Sequence, residues 1–185
     1  TELVNIYLWE EGLKMCQRQG LLENKNLKFH KINIGIFSRL GFFINYFARI
    51  LAAIIFVSRL KIDNKSIIYS SSEFWMDSLP ALILKLKNPR ILWFASWYQS
   101  APSPLVGFSE GQRSDNFKLI ALLYWLMQLP IKPLINNFAD FVLVNNDQEK
   151  KQFPKLNKKN HAIVVLGAVD LEAIDRYKTL HPKPY

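Results

Sequence analysis

The chain has 185 residues, half of them hydrophobic, which suits one compact domain with a substantial core. Its formal net charge of +9 and isoelectric point near 9.6 favour an acidic partner: a phosphate-bearing ligand, an anionic membrane surface or nucleic acid. Cys16 is the single cysteine, so an internal disulfide is excluded and a reducing, cytoplasmic location is expected.

The first part of the chain alternates between helical and extended patterns. The predicted elements are a helix over residues 3–20, a strand over 28–34, a long apolar helix over 38–60 and a strand over 66–70. Asn45 and Arg49 interrupt the long helix. No uncharged run therefore reaches the roughly 18 residues that a membrane-spanning helix needs.

The alternation continues to the end of the chain. The predicted elements are a helix over residues 75–86, a strand over 90–95, a proline-rich loop over 101–107, an apolar helix over 117–138 broken at Pro130 and Pro133, a strand over 139–146, a charged helix over 147–153 and a strand over 161–166. Strands that alternate with helices, without hairpin turns, predict an α/β fold with a Rossmann-like parallel sheet flanked by helices.

The last strand, helix and strand form a predicted parallel βαβ unit. Residues just past the strand ends of such a unit face the crevice where ligands bind. The predicted cleft residues are Asn145, Asn146 and Asp147 after one strand, and Gly167 and Asp170 after the next.

The turn after the strand at 66–70 concentrates hydroxyls and carboxylates. These residues are Ser70, Ser71, Ser72, Glu73 and Asp77. One interpretation is that Ser72 or Glu73 caps the following helix, with Asp77 adding a favourable charge to its first turn. The other interpretation is that this turn lines the cleft and hydrogen-bonds a polar ligand such as a sugar.

Aromatic and amide side chains follow the next strand. Trp97 and Gln99 precede a proline-stiffened loop and could form a sugar or lipid platform, because aromatic faces pack on apolar ring surfaces while an amide gives directional hydrogen bonds. Burial of the tryptophan in the core is the alternative. No metal site and no bound cofactor are predicted.

Three segments together resemble the N-terminal domain of GT-B glycosyltransferases of the large retaining family four. They read IYSSSEFWMDSLPA at residues 68–81, ADFVLVNN at 139–146 and LGAVDL at 166–171. Their order and approximate spacing match that domain, and the likeness covers most of the chain. Thr1 and Glu2 resemble the residues between the glycine-rich loop and the first helix of that family.

The resemblance implies a transferase that takes a sugar from a nucleotide-sugar co-substrate and passes it to a glycan or lipid-linked acceptor. It implies that residues 1–175 are the acceptor-binding half and that 176–185 are a linker toward a donor-binding domain outside this sequence. Many family members carry a histidine near the strand end that here reads FASW at 94–97. Because this chain has none there, we expect the polar residues named above to bind acceptor, and we assign no catalytic residue.

Basic and aromatic residues in the long helix region suggest a second surface. Arg39, Phe43, Arg49 and Arg59 could hold the domain against an anionic bilayer, at the inner face of the membrane. The alternative is that one apolar face packs on the sheet and the arginines form its solvated side.

Two other functions fit the composition. A stand-alone sugar- or lipid-binding domain without catalysis is one. A nucleic-acid-binding module is the other, suggested by the lysine-rich segment 150–159, although no RNA-binding or zinc-finger signature accompanies it. A charged helix face explains those lysines more simply, so nucleic acid is not the expected partner.

Overall fold

Parallel strands and the helices between them build the molecule. The computed structural model describes residues 3–101 and 119–165, without the side chains of 119–121. Four strands form one parallel sheet flanked by helices, which confirms the predicted α/β class and Rossmann-like arrangement.

The element bounds follow the chain order. The strands are β1 Val4–Leu8, β2 Leu27–Lys31, β3 Ile67–Ser70, β4 Leu92–Trp97, β5 Phe141–Val144 and β6 Ala162–Val164. The helices are α1 Glu10–Arg18, α2 Phe42–Ser58, α3 Trp75–Lys87, α4 Leu119–Gln128, α5 Ile131–Phe138, α6 Asp147–Lys150 and α7 Pro154–Lys158, with 3-10 turns at Leu21–Glu23 and Gly35–Arg39. The parallel pairing of β5 with β6 confirms the predicted βαβ unit.

The single helix predicted over residues 3–20 is wrong. The segment begins with β1, which pairs in parallel with β2, and only then enters α1 with Glu10 and Glu11 in its first turn. The apolar spacing of these residues fits a helix as well as a strand. Pairing with a distant segment, which local spacing does not encode, decides for the strand. Short α7 was also not predicted; it begins at Pro154, a residue suited to the first helical turn.

The main core lies on one face of the sheet ordered β3-β4-β5-β6. Trp93 and Trp97 of β4 and Val142 and Val144 of β5 are fully buried there. They pack with α3, α5 and the start of α7, as parallel sheets covered by helices generally do.

Strands β1 and β2 form a separate two-stranded ladder in the part of the chain that the structure describes. Helix α2 connects the two sheets. Its Phe56 ring lies 5.3 Å from the ring of Tyr7 in β1, and its Val57 is buried with Leu84 and Ile91 beside the larger sheet. Within residues 3–101 and 119–165, no helix combines the length and the apolarity needed to cross a bilayer.

A cluster of polar contacts, here named the Lys85–Asp140 cluster, lies at the amino end of the larger sheet. The Lys85 ammonium lies 2.7 Å from the Asp140 carboxylate and also donates to the carbonyls of Pro89 and Ile91. The same carboxylate oxygen accepts from the Trp93 amide at 2.7 Å, while the Trp93 carbonyl accepts from the Asp140 amide at 3.0 Å. These bonds join α3 to the first residues of β4 and β5.

Lys85→Met tests how much the Lys85–Asp140 cluster contributes to the stability of the fold. The substitution leaves a mostly buried carboxylate without its cation and two carbonyls without their donor, so we expect it to lower the free energy of unfolding by roughly 2–4 kcal/mol. Urea denaturation monitored by tryptophan fluorescence measures the change. Lys158→Met, at an exposed position of α7, is the control, and an equal effect of both substitutions would contradict the assigned role.

Candidate functional site

The carboxyl ends of β3, β4 and β5 meet at one edge of the sheet because these three strands are adjacent and parallel. The register sets Ser70 beside Ala95 and Trp97 beside Val144. The segments after the strands, 71–74, 98–101 and 145–147, therefore all leave the sheet at this edge, which is where α/β proteins bind ligands.

A hydroxyl and carboxylate cluster occupies the turn after β3. The Ser71 hydroxyl donates to Asp77 at 3.1 Å, and the Ser72 hydroxyl donates to the same carboxylate oxygen. Ser72 also accepts from the Phe74 amide at 3.3 Å, which is a bond within the turn; Phe74 is the N-cap of α3, and no side chain caps the helix. Ser71 is exposed and Asp77 half-buried, so this cluster is accessible from solvent and also serves the start of α3. Capping of α3 by Ser72 or Glu73 is therefore not seen, whereas Asp77 does lie in the first turn of the helix, as predicted.

The ionised form of Asp77 is less favourable in the folded protein than in water. Burial raises the pKa of this carboxyl, and the hydrogen bonds from Ser72 and Ser71 only partly oppose that rise. A carboxylate with a raised pKa in an accessible turn is typical of binding and catalytic positions.

Ser70 and Glu73, two predicted ligand-binding residues, are directed into the protein. The Ser70 hydroxyl accepts from the Trp93 indole at 3.1 Å. Glu73 is only 4% exposed, and the Tyr124 hydroxyl donates to it at 2.8 Å. Burial and this carboxylate raise the pKa of Tyr124, so its hydroxyl remains a neutral donor. Ser70 and Glu73 support the turn from behind.

Trp97 is also interior, where it anchors the loop after β4. Its indole is fully buried and donates to the Ser100 hydroxyl at 2.7 Å; Ser100 in turn donates to Glu149 at 2.6 Å. Its ring is therefore not presented to solvent as the aromatic platform predicted for it. The burial in the core that was the alternative for Trp97 is what the structure shows.

Gln99 remains exposed on this anchored loop. Gln128 fixes the loop, because its amide donates to the Gln99 carbonyl and accepts from the Ala101 amide, both at 2.7 Å. The backbone around Gln99 is thus held at two points, while its side chain faces solvent. This arrangement suits a residue that presents a hydrogen-bonding amide at a fixed place.

The three polar residues after β5 reach the same edge. Asn145 donates to the Tyr98 carbonyl, Asn146 accepts from the Glu149 amide at 2.9 Å and so caps α6, and Asp147 pairs with Lys150 at 3.2 Å. All three are exposed. Gly167 and Asp170, the other predicted cleft residues, lie outside the described residues.

Tyrosines at this edge were not singled out from the sequence. The Ser96 hydroxyl donates to the Tyr69 hydroxyl at 2.9 Å, and the hydroxyls of Tyr69 and Tyr98 lie 3.0 Å apart. Burial raises the pKa of Tyr69. The positions of Tyr69 and Tyr98 next to predicted strand ends are the sequence signal that could have placed them at this edge. No local feature of the sequence indicates that Tyr124 contacts Glu73.

A shallow depression of about 430 Å³ lies beside the cluster. Its lining residues are Ser38, Gly41, Phe42, Asn45, Tyr46, Arg49 and Met76. Tyr46 connects it to the site, since its hydroxyl accepts from the Trp75 amide at 3.2 Å. Burial raises the pKa of Tyr46 to about 12.

Arg49 faces this depression and not the outer side of α2. Its guanidinium donates to Asn45 at 2.7 Å and to Glu11 at 2.8 Å, and it lies 5.1 Å from the centre of the Trp9 ring. Arg49 is therefore neither on the solvated side of α2 nor at its outer surface. It joins α2 to the start of α1.

In the described ranges, no three His, Cys, Asp or Glu side chains come together in an arrangement that could hold a metal ion. Comparison with known proteins adds no identification. The chain matches no model of a known protein family and no curated protein.

Asp77→Asn tests the cost of the buried charge. Folding raises the pKa of Asp77, so the folded protein holds this proton more tightly than the unfolded chain. The ionised carboxylate thus subtracts stability, and the subtraction grows as the pH rises above about 4. We expect the variant to be more stable than the wild type at pH 7, with the difference closing as the pH falls toward 4. Urea titrations across this pH range measure it; a constant difference would contradict the raised pKa.

Proposed function

We propose that this chain is the acceptor-binding half of a glycosyltransferase that uses a nucleotide-sugar donor. The observation that carries the proposal is the accessible cluster of Ser71, Ser72 and Asp77 at the carboxyl edge of a parallel sheet. The sequence resemblance to GT-B enzymes points to the same edge. The segment 68–81 that carries part of this resemblance contains the cluster itself.

The chemistry of this edge suits a polyhydroxylated ligand. Asp77 accepts hydrogen bonds, Ser71 both donates and accepts, and the exposed amide of Gln99 does both from a neighbouring strand end. The half-exposed ring of Tyr69 offers an apolar surface beside them for the carbon face of a sugar ring. Donors, acceptors and an aromatic surface thus come from two adjacent strand ends.

The proposed role in transfer is to position one acceptor hydroxyl. A sugar hydroxyl bonded to Asp77 would be held in a fixed direction and polarised, because a carboxylate of raised pKa is a better proton acceptor than an ordinary one. The donor phosphate would be stabilised by groups of the other half of the enzyme. This division of roles is what the resemblance to GT-B enzymes implies.

The basic segment 150–159 is partly occupied within the molecule, which weakens the nucleic-acid alternative. The Lys150 ammonium lies 3.2 Å from Asp147, and the Lys155 ammonium donates to Asn137 at 2.6 Å. Binding to a phosphate backbone depends on free cations along one surface. The contacts of Lys150 and Lys155 compete with that use.

A transfer assay on the natural full-length polypeptide tests the proposed function. Common nucleotide sugars are combined with lipid and glycan acceptors, and the product is detected by mass spectrometry. For an active pair, we expect Asp77→Asn to raise the KM for the acceptor roughly 10-fold, since it replaces a charged hydrogen-bond acceptor by a neutral one, and Ser71→Ala to raise it roughly 3- to 10-fold, since it removes a hydroxyl. The KM for the donor is expected to stay unchanged.

Ser58→Ala, at the exposed end of α2, is the matched serine control and should leave both constants unchanged. A change in the donor KM alone would contradict the assignment of this edge to the acceptor. The mass of the native polypeptide, read by immunoblot of its source cells, gives a separate check. About twice 21.6 kDa fits a two-domain transferase, whereas 21.6 kDa favours a stand-alone binding domain.

A further inference from the structure

The outward side of α2 is an unbroken apolar stripe. Residues Phe43, Ile44, Phe47, Leu51 and Ile55, here named the outer apolar face, are all about half exposed or more. Most are spaced three or four residues apart, so they lie along one side of the helix. At 1.5 Å per residue the helix is about 25 Å long.

The 3-10 turn before α2 extends this surface. Ile36, Phe37 and Leu40 are also exposed, Ile36 by 70%. Exposed apolar residues therefore follow one another through two consecutive elements, which is a denser series than the scattered apolar residues of ordinary protein surfaces.

The opposite side of α2 is already packed within the domain. Tyr46, Ile50, Ala53 and Val57 are buried on that side. A helix that is apolar all round is normally buried all round, because exposed apolar surface is unfavourable in water. The outer apolar face is therefore expected to be covered by something other than the core of this domain.

The charged residues around α2 indicate what covers this face. Residues 32–62 contain no aspartate or glutamate. Arg39 precedes the helix, while Arg59 and Lys61 follow it, and all three are exposed. An apolar face with cations at both ends, in a segment without acidic residues, complements an anionic bilayer, whose interface offers acyl chains and phosphates together.

A second copy of the chain fits this face less well. In a two-fold dimer the same surface meets itself, so the arginines at the ends of one copy would approach those of the other. Because residues 32–62 contain no aspartate or glutamate, this segment offers no negative charge that would offset the repulsion between the arginines. Charge complementarity favours the membrane over self-association.

We propose that the outer apolar face docks on an anionic phospholipid bilayer, with α2 lying in the plane of the interface. Arg39, Arg59 and Lys61 contact lipid phosphates, and Phe43, Phe47 and Leu51 enter the acyl boundary. Docking rests on α2 alone and does not require the proposed transferase function. It would bring the carboxyl edge close to the lipid surface, because Phe42 at the start of α2 and Met76 beside Asp77 line one depression.

Vesicle flotation with the purified chain tests the docking. We expect the protein to float with vesicles made of equal parts phosphatidylcholine and phosphatidylglycerol, to float much less with pure phosphatidylcholine, and to lose binding as salt rises. Phe47→Ser and Leu51→Ser should each weaken binding about tenfold, since each removes a large apolar side chain from the interface.

Leu86→Ser is the matched control, because Leu86 is 57% exposed on α3 and Leu51 is 60% exposed on α2. Arg39→Gln and Arg59→Gln should each weaken binding to anionic vesicles about fivefold. Lys158→Gln, at an exposed position of α7, should weaken it less. Circular dichroism confirms that each variant is folded before its binding is compared.

Two results would overturn the proposal. One is equal flotation of Leu51→Ser, Leu86→Ser and the wild type. The other is a stable dimer in light scattering that Leu51→Ser dissociates, together with no binding of the wild type to anionic vesicles. Transfer activity enters neither readout, so failure of docking and failure of the proposed function are distinguishable.

Discussion

The contact between Lys85 and Asp140 is the constraint on which the carboxyl edge depends. One carboxylate oxygen binds the ammonium and the Trp93 amide, so the first residues of β4 and β5 and the last turn of α3 are tied together. A strand slipped by one residue would turn its buried side chains to the opposite face. Fixing the pairing at the amino end therefore fixes which side chains emerge at the other end.

Behind that edge, the polar groups mostly satisfy one another. Glu73 with Tyr124, and Trp97 with Ser100 and Glu149, form interior contacts that hold the turns rigid. Asp77 differs, because its charge is destabilised by burial and its partner Ser71 is open to solvent. The ionised Asp77 thus lowers the stability of the fold, while the bonded groups behind it hold the turn in place.

Sequence reasoning succeeded where local signals and long-range packing agree. The strand and helix around Ser70–Asp77 and the βαβ unit around Asn145 are predictable because a strand-like run is followed there by polar residues typical of a helix start; Asn146 does cap α6, whereas no side chain caps α3. The element containing Val4–Leu8 was missed because its spacing suits two structures, and only its pairing with β2 chooses between them.

The side-chain environments were harder to predict than the elements. Its own strand leaves Trp97 open between the cleft and the core, because the residues that bury it come from α5, β5 and Phe153, far along the chain. The sequence predicts Arg49 to be a surface cation, yet its partners Glu11 and Trp9 belong to a segment about forty residues earlier. Spacing along one element shows which residues share a face. It does not show which distant residue that face will meet.

The separation of the strands into two ladders has a consequence for the local stability of the molecule. The β1–β2 ladder has five paired positions and contains no buried residue, whereas β4 and β5 lie within the main core. Amide protons become exchangeable when their own segment opens, and segments with few buried apolar contacts open at lower free energy. The amides of β1 and β2 should exchange with solvent deuterium well before those of β4 and β5. The β1–β2 ladder is thus expected to open more easily than the larger sheet, and α2, which carries the outer apolar face, connects the two.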